Sequence, residues 1–84
     1  MPLRFAADVS TAKTDYGTVL LDQRSGAYWE LNPTATLVVD TLMAGGDEEA
    51  AATAVTEAFD VTPERARADV SALVEQLRAG GLAV

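Results

Sequence analysis

Two dipeptides of the same design, Asn32-Pro33 and Thr62-Pro63, each stand ahead of an apolar stripe at helical spacing, and they constrain this chain more than any other feature. In each, a side chain able to accept from the first free amides is followed by a proline whose missing N–H costs nothing at the first helical position. Each therefore marks a helix start. Gly45-Gly46 and Ala79-Gly80-Gly81 mark helix ends. Between them Asp47 opens a further helix, with Glu48 and Glu49 in its first turn, where the helix dipole favours anions. The last two thirds of the chain thus read as three consecutive helices.

The apolar spacing agrees. Ala35, Val38, Val39 and Leu42 form one face of the first helix, widened by Leu37 and Met43. Ala51, Ala54, Val55, Ala58 and Phe59 do the same for the second, with residues so small that a thinly packed, short helix is expected. Ala66, Val70, Leu73, Val74 and Leu77 form the stripe of the third.

The first third reads as strands. "LRFAADVSTAKT" at 3–14 alternates imperfectly, and its first strand is expected from Arg4 to Val9. Asp15-Tyr16-Gly17 is a turn signal. Thr18 to Asp22 is a short strand, "QRSG" at 23–26 supplies a hairpin turn with a glycine, and Ala27 to Leu31 returns as an aromatic strand. The closing "LAV" can dock as a short strand or stay loose. Three strands followed by three helices make an α+β fold, and 84 residues make one domain, 1–84.

Composition removes several functions. Six Lys+Arg against thirteen Asp+Glu give a net charge of −7, which opposes binding to duplex phosphates or anionic membranes. No apolar run approaches a membrane span, and "MPLRFAADVS" carries no signal-peptide pattern, so the cytoplasm is the expected compartment. With no cysteine and no histidine, the thiol nucleophile, the commonest general base and most transition-metal ligands are missing. Ser10, Ser25 and Ser71 lack a histidine partner, and nothing places the single lysine, Lys13, beside any of them. Glu48–Glu49 and Glu57–Asp60 read better as a helix-start pair and a solvated helix end than as catalytic carboxylates. No metal, no cofactor and no enzymatic activity are expected.

A three-stranded sheet has open edges, and the strand at 27–31 has only Glu30 to blunt one. Such an edge can accept an extended peptide as an added strand. By alternation Ala27, Trp29 and Leu31 share one face and Tyr28 and Glu30 the other; Leu31 runs directly into the first helix, which assigns its face to the helices. Trp29 can fill the core, line a groove, or do both. The third helix carries Arg67, Asp69, Glu75 and Arg78 as a mixed-charge border, equally suited to a solvated face and to a groove rim.

The run "VLLDQRSGAYWELNPTA", the "GG" break, the alanine-rich second helix and "VSALVEQLRAGGL" together resemble the PqqD family, from about Thr18 to Leu82. These are small leader-peptide recognition elements of ribosomal peptide pathways. The single-domain form is most similar to the stand-alone recognition proteins of lasso-peptide biosynthesis. The resemblance implies a winged helix-turn-helix-like fold and a leader segment paired antiparallel to the third strand and lying against the third helix. Carried onto this chain, the implied peptide-binding residues are Ala27, Tyr28, Trp29, Glu30 and Leu31 on the strand. On the helix they are Val70, Leu73, Val74 and Leu77, with Arg67 and Asp69 at the rim. The implied partners are a precursor's leader segment and a separate leader peptidase, and the free protein is expected to be a monomer. A winged-helix DNA-binding regulator is the alternative, opposed by the balanced charges of the third helix, and a homodimer paired through its edge strands is a third reading.

Overall fold

In the computed structural model, which describes residues 3–84, the sheet comes first and the helices follow. The elements are β1 (Val9–Thr14), β2 (Gly17–Asp22), β3 (Tyr28–Leu31), α1 (Pro33–Met43), α2 (Glu48–Ala58) and α3 (Pro63–Ala79). The sheet is antiparallel throughout, in the order β1-β2-β3. The α+β fold with three strands before three helices is the expected one, and the winged-helix description is compatible with it. Met1 and Pro2, at the head of the segment read as lacking a signal pattern, lie outside the described residues. Among the described residues no helix is long and apolar enough to cross a membrane.

The helix starts follow the sequence signals atom by atom. The side chains of Asn32, Asp47 and Thr62 accept from the amides of Ala35, Ala50 and Arg65 at 2.8, 2.8 and 3.3 Å. Each cap satisfies one amide that no helical carbonyl can reach, and losing one costs on the order of 1 kcal/mol.

Two readings need correction. The first strand runs from Val9 to Thr14 rather than from Arg4 to Val9. The hairpin between β1 and β2 is tight, with Thr14 opposite Gly17, so pairing must begin at Thr14 and run back along the chain. Because β1 is an edge strand exposed along most of its length, it carries little apolar alternation to reveal it. In α2 the buried positions are Ala51, Ala52 and Val55; Ala58 is exposed, and the helix is as long as α1.

Leu20 and Leu31 from the sheet meet Val38, Val39 and Leu42 of α1 and Val70, Val74 and Leu77 of α3 in one core. Leu20 and Leu77 are fully buried, each worth about 1.5–3 kcal/mol relative to exposure. Of the two outcomes open for the C-terminal tail, docking is observed. Phe5 and Ala83 form an antiparallel bridge, Ala6 donates to Leu82 at 2.9 Å and Val84 donates to Arg4 at 2.8 Å. Leu3, Leu82 and Ala83 are buried there.

Candidate functional site

The β2–β3 register decides which backbone groups of β3 remain free. Leu21 pairs with Tyr28, Leu20 with Trp29, Val19 with Glu30 and Thr18 with Leu31. One step beyond, the Asp22 amide donates to the Ala27 carbonyl at 2.9 Å. In an antiparallel ladder the residues that exchange hydrogen bonds alternate with those that do not. The Ala27 carbonyl and the backbone groups of Trp29 and Leu31 therefore turn to β2, while the Ala27 amide donates to the Ser25 hydroxyl at 3.2 Å. Tyr28 and Glu30 turn theirs to the open edge.

The side chains alternate in the same rhythm. Tyr28 is 64% exposed and Glu30 is exposed, while Leu31 is buried and Trp29 half-buried against the core. Alternation in the sequence assigns these faces correctly, since residues two apart on a strand share a face.

What lies beside this edge distinguishes it from the other one. Helix α1 packs on β2 and β3, and α3 packs on α2 and α1; among the described residues the backbone of α3 does not pack on β3. A gap is left between the β3 edge and α3. The Trp29 indole spans it at one end, reaching the backbone of Gly80 just past α3. At the other end, where β3 runs without a loop into α1, Asn32, Thr34 and Ala35 face Asp69, Val70 and Leu73 across an open cavity of about 160 Å³. Its walls are mainly apolar and its rim polar, as suits an apolar side chain on an extended chain. The β1 edge has no such neighbour: among the described residues no helix backbone packs beside β1. Its Lys13 is held by Asp40 of α1 at 2.5 Å, leaving a charged side chain on that edge.

The contact points also give a direction. Asp69 to Leu73 lie opposite Asn32, and Gly80 lies opposite Trp29, so α3 runs antiparallel to β3. An extended chain added antiparallel to β3 would run parallel to α3, entering near Asn32 and leaving beside the Gln23–Gly26 turn.

The structure brings together most of the residues singled out in the sequence, but not all. Tyr28, Trp29, Glu30 and Leu31 form β3, with Ala27 exposed immediately before it. Asp69, Val70 and Leu73 line the cavity, and Leu73 is half-buried. Val74 and Leu77 are 5% and 0% exposed and belong to the core behind it. Arg67 stands elsewhere. It projects toward α2, where its guanidinium meets Glu49 at 3.2 Å. The hydrogen bond to Glu49, and then its charge, hold the Arg67 pKa above the ordinary arginine value. Arg67 and Asp69 sit about 200° apart around the helix, so they cannot rim the same groove. The structure adds Asn32, Thr34, Ala35 and Gly80 to the site. The Asn32-Pro33 signal could have located the first three, because it places the first turn of α1 directly against the end of the edge strand.

Two of the three arginines of α3 are held by carboxylates. Arg65 pairs with Asp69 at 3.2 Å along one helix face, and Arg67 pairs with Glu49. On the outer face of the sheet, Leu21 and Tyr28 remain exposed, and Tyr16 is exposed in the β1–β2 turn. Among the described residues no group of three His, Cys, Asp or Glu side chains is placed to hold a metal ion.

Known proteins give consistent matches. The model of the family described as coenzyme PQQ synthesis protein D (PqqD) matches residues 17–83. A solved structure of lasso peptide synthetase B1 complexed with the leader peptide is 42% identical, with a TM-score of 0.94; the alignment covers 100% of this chain and 99% of that one. TbiB1 in complex with the TbiA(beta) leader peptide is 21% identical, with a TM-score of 0.85 over 95% and 93% of the two chains, and shares the fold. Among curated proteins nothing matches.

Proposed function

The chain belongs to the PqqD family, and from that premise we propose that it is a non-catalytic adaptor of lasso-peptide biosynthesis, which takes the leader of a ribosomal precursor peptide as a fourth strand on β3 and presents it to a separate leader peptidase. The observation that carries this reading is the β3 edge: Tyr28 and Glu30 offer free backbone donors and acceptors beside a groove that ends in an apolar cavity. Each main-chain hydrogen bond contributes roughly 0.5–1.5 kcal/mol net, and apolar leader side chains between β3 and α3 supply the rest.

The adaptor gains nothing from chemistry of its own. It raises the effective concentration of the scissile region at the peptidase. In the antiparallel direction the leader's C-terminal end leaves beside the Gln23–Gly26 turn, so the peptidase acts at that end of the groove. The exposed Leu21 and Tyr28 lie on the outer sheet face, away from the groove, and stay available to a second protein. The DNA-binding alternative finds no support, since α3 has its Arg65 and Arg67 tied to carboxylates in a chain of net charge −7.

The test is a titration of a fluorescein-labelled synthetic leader, taken from the precursor encoded beside this protein, followed by anisotropy. Saturable one-to-one binding is expected. An absence of saturable binding would remove the adaptor reading.

A further inference from the structure

Gly80 and Gly81 end α3 together, yet they are glycine for different physical reasons. Gly81 has φ +76°, a conformation that favours glycine, and a Cβ there would meet nothing within 4 Å. Gly80 has φ −79° and ψ −2°, which any residue adopts. The space beside it is what excludes a side chain. A Cβ at Gly80 would lie 2.9 Å from Cζ2 and 3.5 Å from Cη2 of the Trp29 indole, with the Gln76 carbonyl at 3.3 Å. The indole therefore rests on the bare backbone at the end of α3, 51 residues away in sequence.

This contact lies where it matters for the groove. The backbones of β3 and α3 do not pack on each other, so the Trp29–Gly80 contact ties the edge strand to the end of the helix. Trp29 is half-buried, leaving part of the ring at the surface. Its backbone groups face β2, so on the open edge it occupies a position without ladder bonds. There the opposing Cα is closer, about 4.5 Å in an antiparallel pair, and the two side chains share a face. The leader residue opposite Trp29 would thus lie directly along the indole.

We propose that Gly80 is a positioning residue for leader binding: by leaving room for Trp29 it seats the indole as the wall of the β3–α3 groove and sets the groove's width at the end where the leader leaves. The proposal rests on the leader-binding reading above and assigns the role to a residue with no leader contact of its own. A methyl group at Gly80 displaces the ring by several tenths of an ångström or pushes the end of α3 away, and either movement changes the wall against which the leader packs.

The experiment is a double-mutant cycle with Gly80→Ala and Trp29→Phe, read by anisotropy with the fluorescein-labelled leader, alongside thermal melts and the emission of Trp29 in the free Gly80→Ala protein. Gly80→Ala should shift the emission and weaken leader binding about tenfold when Trp29 is present. It should change binding less than about twofold in the Trp29→Phe background, where phenylalanine lacks the ring atoms that Gly80 touches. If Gly80→Ala prevents folding, the double variant should fold and bind as Trp29→Phe does. The proposal is overturned if Gly80→Ala binds as tightly as the parent with unchanged emission, if its effect is equal in both backgrounds, or if the double variant also fails to fold. The parent titration separates the two claims, because loss of saturable binding there strikes the adaptor reading and not the seating of Trp29.

Discussion

The amide of Asp22 donates to the carbonyl of Ala27 at 2.9 Å, and that single bond sets the phase of the whole edge strand. It turns the Ala27 carbonyl, Trp29 and Leu31 inward to β2 and leaves Tyr28 and Glu30 facing outward. A shift of one residue would reverse both the free amides and the buried face.

Proline substitution should read out this phase. Tyr28→Pro removes an amide that β2 does not use, so the domain should keep its far-UV spectrum while leader binding falls at least tenfold, the loss of one main-chain bond plus local distortion. Trp29→Pro removes an inward bond and should unfold or strongly destabilise the protein. Circular dichroism and anisotropy distinguish the two.

On α3, groove and core separate by burial. Leu77→Ala, at a fully buried position, should cost about 2–5 kcal/mol in denaturant melts. Leu73→Ala, at a half-buried position lining the cavity, should cost less stability and weaken leader binding.

Charge reversals should divide by helix face. Asp69→Lys, at the cavity rim, should alter leader affinity. Arg67→Glu, which sets a second carboxylate against Glu49, should leave leader affinity unchanged. Both surface changes should stay within about 0.5 kcal/mol of parent stability. Leader affinity that responds to Arg67→Glu and not to Asp69→Lys would place the groove on the wrong side of α3.

The protein alone should leave the precursor's mass unchanged over hours, with cleavage appearing only when the leader peptidase is added. Cleavage by the purified protein without the peptidase would contradict the adaptor role.

The helices were legible because their signals are local. Asn32-Pro33, Asp47 and Thr62-Pro63 act on amides three residues away, and the structure shows those bonds. The side-chain faces of β3 were legible for the same reason, since period two requires only neighbours. The limits of β1 are not legible in the same way, because an exposed edge strand such as "VSTAKT" carries no apolar rhythm and its ends come from the tight Thr14–Gly17 pairing. Arg67 and Asp69 share a mixed-charge border in the sequence and an implied place at the rim, although two residues of helix put them on different faces. The direction of the β3 amides and the seat of Trp29 on Gly80 depend on register and on a contact 51 residues long, and composition and spacing carry neither.

Amide hydrogen exchange along residues 27–31, measured with and without saturating leader, tests strand addition most directly. The outward amides of Tyr28 and Glu30 should exchange fast in the free protein and slow by about tenfold or more in the complex, while the inward amides of Trp29 and Leu31 are protected in both states. Tight leader binding with no slowing at Tyr28 and Glu30 would contradict strand addition.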